Sequence, residues 1–462
     1  MNPGERQRYR RVLMITYVFP PGAWVGAHRT LKYCKYLVNH AWKPIVLTPQ
    51  PIGVSFQDPG LLRQLPPDVE VHRTFDLDPA KWEERLAVWN MRRKKRNALR
   101  GAAATGREAA SRAPGLLSRL KAFIKALLTD SPDSHIFWVP FAFFRGIWIL
   151  LRHKVDVIYC STPPHSSHLV AYLLAKCARK PYVLDFRDPW YVEGSARTPA
   201  GKIPLLLKLE TYTKRRIVRA ASRIICVSQG EMEEMRTEFP DLGEERFACI
   251  TNGYDSADLP AVDPAPATSP QLTMIHAGTI YSGAADEFFV ALRRLADADR
   301  ALARAMQVHL LGEIAHGYAD AVRELEERSI VKVHGMQPHA TTLGMVQSSD
   351  VVVILMGGTR FRPSHLPSKA FEYLHSGKPI LAIAGEGELA RLVKQSGLGI
   401  VVPPESVDSL VDALRRIVAE HAAGGLARVP NRSYIRSFER AALAEKLASV
   451  LDGVMQTALA RR

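Results

Sequence analysis

Leu366-Pro-Ser-Lys-Ala-Phe-Glu-Tyr-Leu-His-Ser-Gly-Lys-Pro379 opens and closes one short helix. Pro367 and Ser368 are helix-start residues, Ala370, Phe371, Tyr373 and Leu374 give it an apolar side, and Gly377 with Pro379 stops it. Ile380-Leu-Ala-Ile383 then reads as a buried strand. A helix N-terminus presents unpaired N–H groups and the positive end of the dipole, and here the Ser368 hydroxyl and the Lys369 ammonium stand beside it. This combination suits an anion, most naturally phosphate. Glu372, one turn further in, is placed to accept hydrogen bonds from sugar hydroxyls next to that phosphate. An ordinary capped helix with a surface lysine fits the same residues, and the segment alone does not choose between the two.

Outward from this segment the chain alternates strands and helices. Towards the N-terminus lie strands at Val351–Leu355, Val331–Val333, Gln307–Leu311 and Leu272–His276; the last runs into the turn Ala277-Gly278-Thr279, and Gly399–Val402 follows the helix. Ala261-Val-Asp-Pro-Ala-Pro-Ala-Thr-Ser-Pro270, rich in Pro and small residues, reads as a linker. Before it a second series starts at Arg11–Thr16, breaks at the loop containing Gly22 and Gly26, and reopens as a helix carrying His28 and Arg29 at its mouth. The loop is not G-x-G-x-x-G, yet its glycines would let a ligand approach the backbone. Tyr182–Phe186 ends in Arg187-Asp188-Pro-Trp190, charged and aromatic groups where parallel α/β sheets place their ligands. A structural salt bridge or an exposed first-turn residue is the plain alternative for Arg187–Asp188 and for Arg29. The expected fold is α/β, two Rossmann-like domains facing across a cleft.

The composition, 47% hydrophobic and 23% charged over 462 residues, is that of a globular chain with more than one domain. No apolar run is long enough to span a bilayer, and the Arg-rich start does not read as a signal peptide. Five scattered cysteines without C-x-x-C point to a reducing, cytoplasmic setting, and no metal-ligand spacing is visible. The net charge of +16 is concentrated around Arg92-Arg-Lys-Lys-Arg96 and continues to Lys125 among apolar residues, after which Ile136–Leu151 is rich in aromatics. Basic, amphipathic and aromatic content suits an anionic membrane surface; a solvated charged helix followed by a core helix is the alternative. No nucleic-acid module surrounds the basic run, so nucleic acid is not expected as a partner.

The tandem arrangement, Asn252-Gly253-Tyr-Asp255, Ala277-Gly278-Thr279, Pro367-Ser-Lys-x-x-Glu372-Tyr and Gly377-Lys-Pro379 together resemble the GT-B glycosyltransferases of family 4. Ser161–Leu169 and Asp185–Trp190 resemble its bacterial members. The resemblance implies an N-terminal acceptor-side domain at 1–262 with a basic insertion at about 82–150, a nucleotide-sugar domain at 268–431, and a helix at 432–462 that crosses back. It implies that Glu372 holds the nucleotide ribose, that Pro367, Ser368 and Lys369 form the diphosphate side, that Gly278 and Thr279 line the donor cleft, and that Gly26 meets the phosphate. His28, Arg29, Arg187 and Asp188 fall on the acceptor side. Three departures stand out. Ser364 occupies the first position of the family's E-x7-E pattern, no Arg or Lys follows the Gly278-Thr279 turn, and Arg187 replaces a His.

With that turn uncharged, Arg360 and Arg362 are expected to join Lys369 around the leaving diphosphate. No D-x-D pattern sits in a suitable position, so neither a metal nor another cofactor is expected. The implied reaction is retaining hexosyl transfer to a saccharide or lipid-linked acceptor in cell-envelope or exopolysaccharide synthesis, with the leaving phosphate or Asp188 handling the acceptor hydroxyl. A protein peripheral on the inner face of the cytoplasmic membrane would fit. A nucleotide-sugar epimerase and a non-catalytic sugar-nucleotide-binding homologue are the alternatives.

Overall fold

A computed structural model of the chain describes residues 9–22, 25–51, 57–77, 133–190, 204–258, 271–358, 361–426 and 428–460. The basic run from Arg92 to Lys125, most of the proposed insertion and the linker lie outside these residues, as does Arg360.

The first sheet has seven strands: β1 Arg10–Thr16, β2 Trp42–Pro49, β3 Glu70–Thr74, β4 Val157–Thr162, β5 Tyr182–Phe186, β6 Arg223–Cys226 and β7 Phe247–Cys249, in the order β3-β2-β1-β4-β5-β6-β7. The pairings of β1 with β2 and β4, of β2 with β3, and of β4 with β5 are parallel. The second sheet has six: β8 Leu272–Ala277, β9 Met306–Leu311, β10 Val331–Gly335, β11 Val351–Met356, β12 Ile380–Ala384 and β13 Gly399–Val402, in the order β10-β9-β8-β11-β12-β13, again parallel. In each sheet the strand order reverses beside the first strand, at β1/β4 and at β8/β11. The crevice beyond such a reversal is where open α/β sheets bind ligands. Strands buried on both faces need near-continuous apolar runs, and β4, β5, β11 and β12 are buried along their whole length.

β3 was not expected, because few strand signals mark residues 49–135. Its residues are only half-buried except for Thr74, as befits an edge strand without a full apolar run. Helices at Gln229–Glu238, Ala319–Glu327, His339–Ser348 and Glu388–Ser396 also lie beyond the sequence reading.

The chain forms two compact units, and neither is continuous in sequence. One comprises Met1–Ile225, Asp241–Ala248 and Leu447–Arg462; the other comprises Cys226–Pro240 and Cys249–Lys446. The 229–238 helix joins the second unit because Ser228 Oγ donates to the Ser364 carbonyl at 2.7 Å and the Gly230 N–H to Glu388 Oε1 at 2.8 Å. The end of the last helix, Arg440–Ala460, joins the first, where Asp452 accepts from Arg10 and from the Trp42 indole.

The aromatic stretch at 136–151 forms the helix Val139–Arg152 after a short 3₁₀ turn. Val139, Ala142, Gly146 and Ile149 face inward at helical spacing. A Cβ on Gly146 would lie 2.4 Å from Leu174 Cδ1, so glycine lets this helix lie against the helix Ser166–Ala178. The other side exposes Phe144, Trp148 and Leu151, the last at 84%. Among the described residues, no helix is long and apolar enough to cross a membrane.

Candidate active site

In the second unit the helix Lys369–Ser376 is held by four buried side chains, Ala370, Phe371, Tyr373 and Leu374, and ended by Gly377 in the left-handed region at φ +69°. Tyr373 reaches across to β8, where its hydroxyl accepts the Ala277 N–H at 2.7 Å. The helix N-terminus is thereby fixed beside the Ala277-Gly278-Thr279 turn.

Ser368 has helical backbone angles and makes no capping hydrogen bond with its side chain. Its hydroxyl is therefore not consumed by the helix it precedes. Lys369 lies beside Gly278, whose φ of +133° favours glycine and whose Cβ would stand 3.1 Å from Lys369 Nζ. Gly312, at φ +107°, packs on the same turn: a Cβ there would lie 2.7 Å from the Gly278 carbonyl carbon and oxygen.

Lys369 Nζ has no carboxylate partner among the described residues; it contacts His276 Nε2 at 3.0 Å. His276, the penultimate residue of β8, is fully enclosed, and its Nδ1 lies 3.0 Å from the Val353 carbonyl of β11. A carbonyl can only accept, so Nδ1 carries the proton and Nε2 offers its lone pair to the ammonium. Burial and then the Lys369 charge push His276 well below the ordinary imidazole range, outweighing the nearby carbonyls of Val353 and Gly278. Burial lowers Lys369 itself to about 7. Lys369 thus stands at the start of the helix without a carboxylate counter-charge, an arrangement suited to an anion.

Glu372 lies one turn further along and meets His339 Nε2 at 3.1 Å. It lines a shallow depression with Tyr254, Asp255, Asp258, His339, Leu343 and His375. Carboxylates and imidazoles around such a depression are suited to hydroxyl groups. Pro367, whose carbonyl accepts the Ala370 N–H, and Thr279 are half-buried at the two sides of the Lys369 position.

Three residues behave differently from the sequence reading. Arg362 is not a spare cation: it pairs with Glu234 at 3.0 Å, and Ser364 Oγ donates to the same carboxylate at 2.7 Å. Arg29, expected at the helix mouth, is 1% exposed and bonds both oxygens of Asp185 at 2.8 and 2.9 Å. The reason is Asp185 itself, a fully enclosed carboxylate on β5 that needs a counter-charge and also accepts from the Tyr159 hydroxyl. What approaches Gly26 is protein: a Cβ there would lie 2.1 Å from an Arg187 guanidinium nitrogen. Arg187 is held by Ser161 Oγ at 3.1 Å and the Pro163 carbonyl at 3.0 Å, with half-buried Asp188 beside it. His28 is half-buried on the Val25–Leu37 helix.

The sequence reading overlooked His276 and Gly312. A lone imidazole directly before the A-G-T turn, at the end of an otherwise apolar strand, was the available signal for the first. Gly312 directly after β9 was the signal for the second.

Among the described residues Glu70, His72 and His153 bring three potential metal ligands within 4.8 Å of one another. Arg145 lies 3.2 Å from His72 Nδ1 and can only donate, which leaves the proton on Nε2, the nitrogen facing Glu70. His72 therefore presents a hydrogen there rather than a lone pair.

Two Rossmann-like units, built on parallel sheets of seven and six strands, are the architecture of the GT-B glycosyltransferases. Two family models match the chain: Glycosyltransferase Family 4 over residues 107–258 and Glycosyl transferases group 1 over 271–420. The protein belongs to the GT-B glycosyltransferases of the family 4 type. Among solved structures it is similar to a sucrose-phosphate synthase from Thermosynechococcus elongatus, with 15% identity, a TM-score of 0.61, and 97% of this chain and 100% of that chain covered. HepE of Anabaena in complex with UDP and glucose matches at 15% identity and a TM-score of 0.55, covering 96% and 100%. WaaG, a glycosyltransferase involved in lipopolysaccharide biosynthesis, matches at 13% identity and 0.52, also covering 96% and 100%. At these identities the likeness is one of fold. No curated protein sequence matches the chain.

Proposed function

We propose that this glycosyltransferase takes its sugar from a nucleotide-sugar donor and passes it, with retention and without a metal, to a saccharide or lipid-linked acceptor in cell-envelope polysaccharide synthesis. The observation that carries this reading is the half-buried Lys369 ammonium without a carboxylate, at the N-terminus of the 369–376 helix. Breaking a sugar–phosphate bond builds negative charge on the departing diphosphate. A fixed donor at that point is typically worth about 3–4 kcal/mol. Lys369, Ser368 and the leading N–H groups supply such donors, which is why no metal is invoked. Glu372, at the edge of its depression, would receive the ribose hydroxyls. The acceptor hydroxyl forms the new bond to the sugar carbon on the face the diphosphate leaves, and its proton passes to the leaving phosphate oxygen. UDP and glucose in HepE, and the lipopolysaccharide context of WaaG, support the donor and acceptor classes. The exposed Phe144, Trp148 and Leu151, with Arg145 stacked over Trp148 at 4.4 Å, support a seat on an anionic membrane from the cytoplasmic side.

The test incubates EDTA-treated protein with UDP-, GDP-, ADP- and dTDP-sugars and a membrane extract, following nucleotide release and the anomeric configuration of the product by NMR. Transfer with retained configuration in EDTA is the expected result. Inverted product, or transfer only after divalent metal is restored, overturns it.

A further inference from the structure

We propose that His276 is the positioning residue of the anion receptor: its Nε2 lone pair holds the Lys369 ammonium where the donor's diphosphate is gripped. This rests on the reading of Lys369 given above. Three features of the structure argue for it. First, His276 is the only side chain that bonds Lys369 Nζ among the described residues, at 3.0 Å. A lysine has four rotatable bonds, and one fixed acceptor removes much of the freedom that binding would otherwise have to freeze out. Second, the ring cannot turn over without loss. Its Nδ1 lies 3.0 Å from the Val353 carbonyl inside the sheet, and the Nδ1–H tautomer this favours turns the Nε2 lone pair to the ammonium. Third, the acceptor is uncharged. A carboxylate in that place would neutralise Lys369 and compete with phosphate, whereas a neutral imidazole orients the cation and leaves its charge for the ligand. The same strand end carries Gly278, so the turn, the imidazole and the ammonium form one block.

The experiment uses the full chain with His276→Phe, which keeps a flat ring without the acceptor, and His276→Gln, whose amide oxygen can return an acceptor. The probe is whichever of UDP, GDP, ADP and dTDP binds the unmodified protein most tightly, titrated calorimetrically beside the matching nucleoside. His276→Phe should lose about 10- to 100-fold in diphosphate affinity with nucleoside binding unchanged, and His276→Gln should recover most of it. A folded His276→Phe protein that binds the diphosphate like the unmodified one overturns the proposal. Should that variant fail to fold, the unmodified protein decides by 15N NMR. The His276 ring should show the Nδ1–H tautomer and an Nε2 resonance that moves on adding the diphosphate; the opposite tautomer or an unmoved Nε2 overturns it. Lys369→Ala separates the two readings. If it binds the diphosphate undiminished, the reading of Lys369 itself fails, whereas its loss beside an unimpaired His276→Phe removes only the role of His276.

Discussion

The Tyr373 hydroxyl accepts the Ala277 N–H at 2.7 Å, so the helix that begins with Lys369 and the strand that ends at Ala277 cannot move independently. Tyr373→Phe leaves that enclosed N–H without a partner, which typically costs about 1–3 kcal/mol. Urea denaturation should show the loss of stability, and donor affinity should fall with it because the turn is released. Unchanged stability would mean that the N–H finds another acceptor.

Lys369→Ala and Glu372→Ala should each reduce kcat/KM by about 10²-fold or more, the scale of losing one fixed donor or acceptor at a leaving group. Neither side chain belongs to the apolar core, so thermal midpoints should stay close to the unmodified value. The measurement is steady-state nucleotide release beside a melting curve. Full turnover in either variant would misplace the site.

The ammonium of Lys369, lowered to about 7 by burial, makes donor binding depend on pH. A bound diphosphate favours the charged form and raises the pKa, so the complex holds a proton that part of the free protein lacks. Binding should therefore take up protons around pH 7–8, and affinity should fall as pH rises above about 7. Without ligand the sign reverses for stability. Unfolding restores an ordinary lysine that binds its proton up to higher pH, so this group favours the fold increasingly from about pH 7 towards the ordinary lysine value. Calorimetry in buffers of different ionisation enthalpy checks the uptake, and Lys369→Met should abolish it.

Arg29 and Asp185 form an enclosed pair, and removing one partner strands the other. Asp185→Ala should cost about 3–5 kcal/mol, whereas the double change Arg29→Met with Asp185→Leu should cost much less. Chemical denaturation of the three proteins measures this. A single variant as stable as the double one would contradict it.

Replacing Phe144, Trp148 and Leu151 with Ser should weaken sedimentation with phosphatidylglycerol vesicles and leave transfer to a soluble acceptor intact. Added salt should weaken binding further if anionic lipid is the attraction. Equal sedimentation before and after the change would return this helix face to ordinary solvent exposure.

The alternation of apolar runs and breakers was enough to read most of both sheets, because strands buried on two faces have little choice of residue: β5 falls where the pattern puts it, and β12 does so to within one residue. Edge strand β3 escaped because half-buried positions tolerate Glu70, His72 and Arg73. The helix motif was legible from Pro367 to Pro379 because its start, stop and ligand groups are contiguous. Partner choice was not. Arg29, Arg187 and Arg362 look alike in sequence as cations near strand ends, and only three-dimensional proximity to Asp185, Gly26 and Glu234 assigns them different duties. His276 was hidden for the same reason, since its significance lies in a lysine on a distant helix.

The discontinuity of the first unit bears on how the molecule is made. Leu447, Leu451 and Val454 are enclosed, and Asp452 receives the Trp42 indole hydrogen. A ribosome delivers Trp42 early and Asp452 almost last, so the amino-terminal half must wait, with apolar surface uncovered, until synthesis is nearly over. Splitting the gene at the Pro-rich linker would leave that half permanently short of its final helix, whereas co-producing the tail as a separate peptide should restore it.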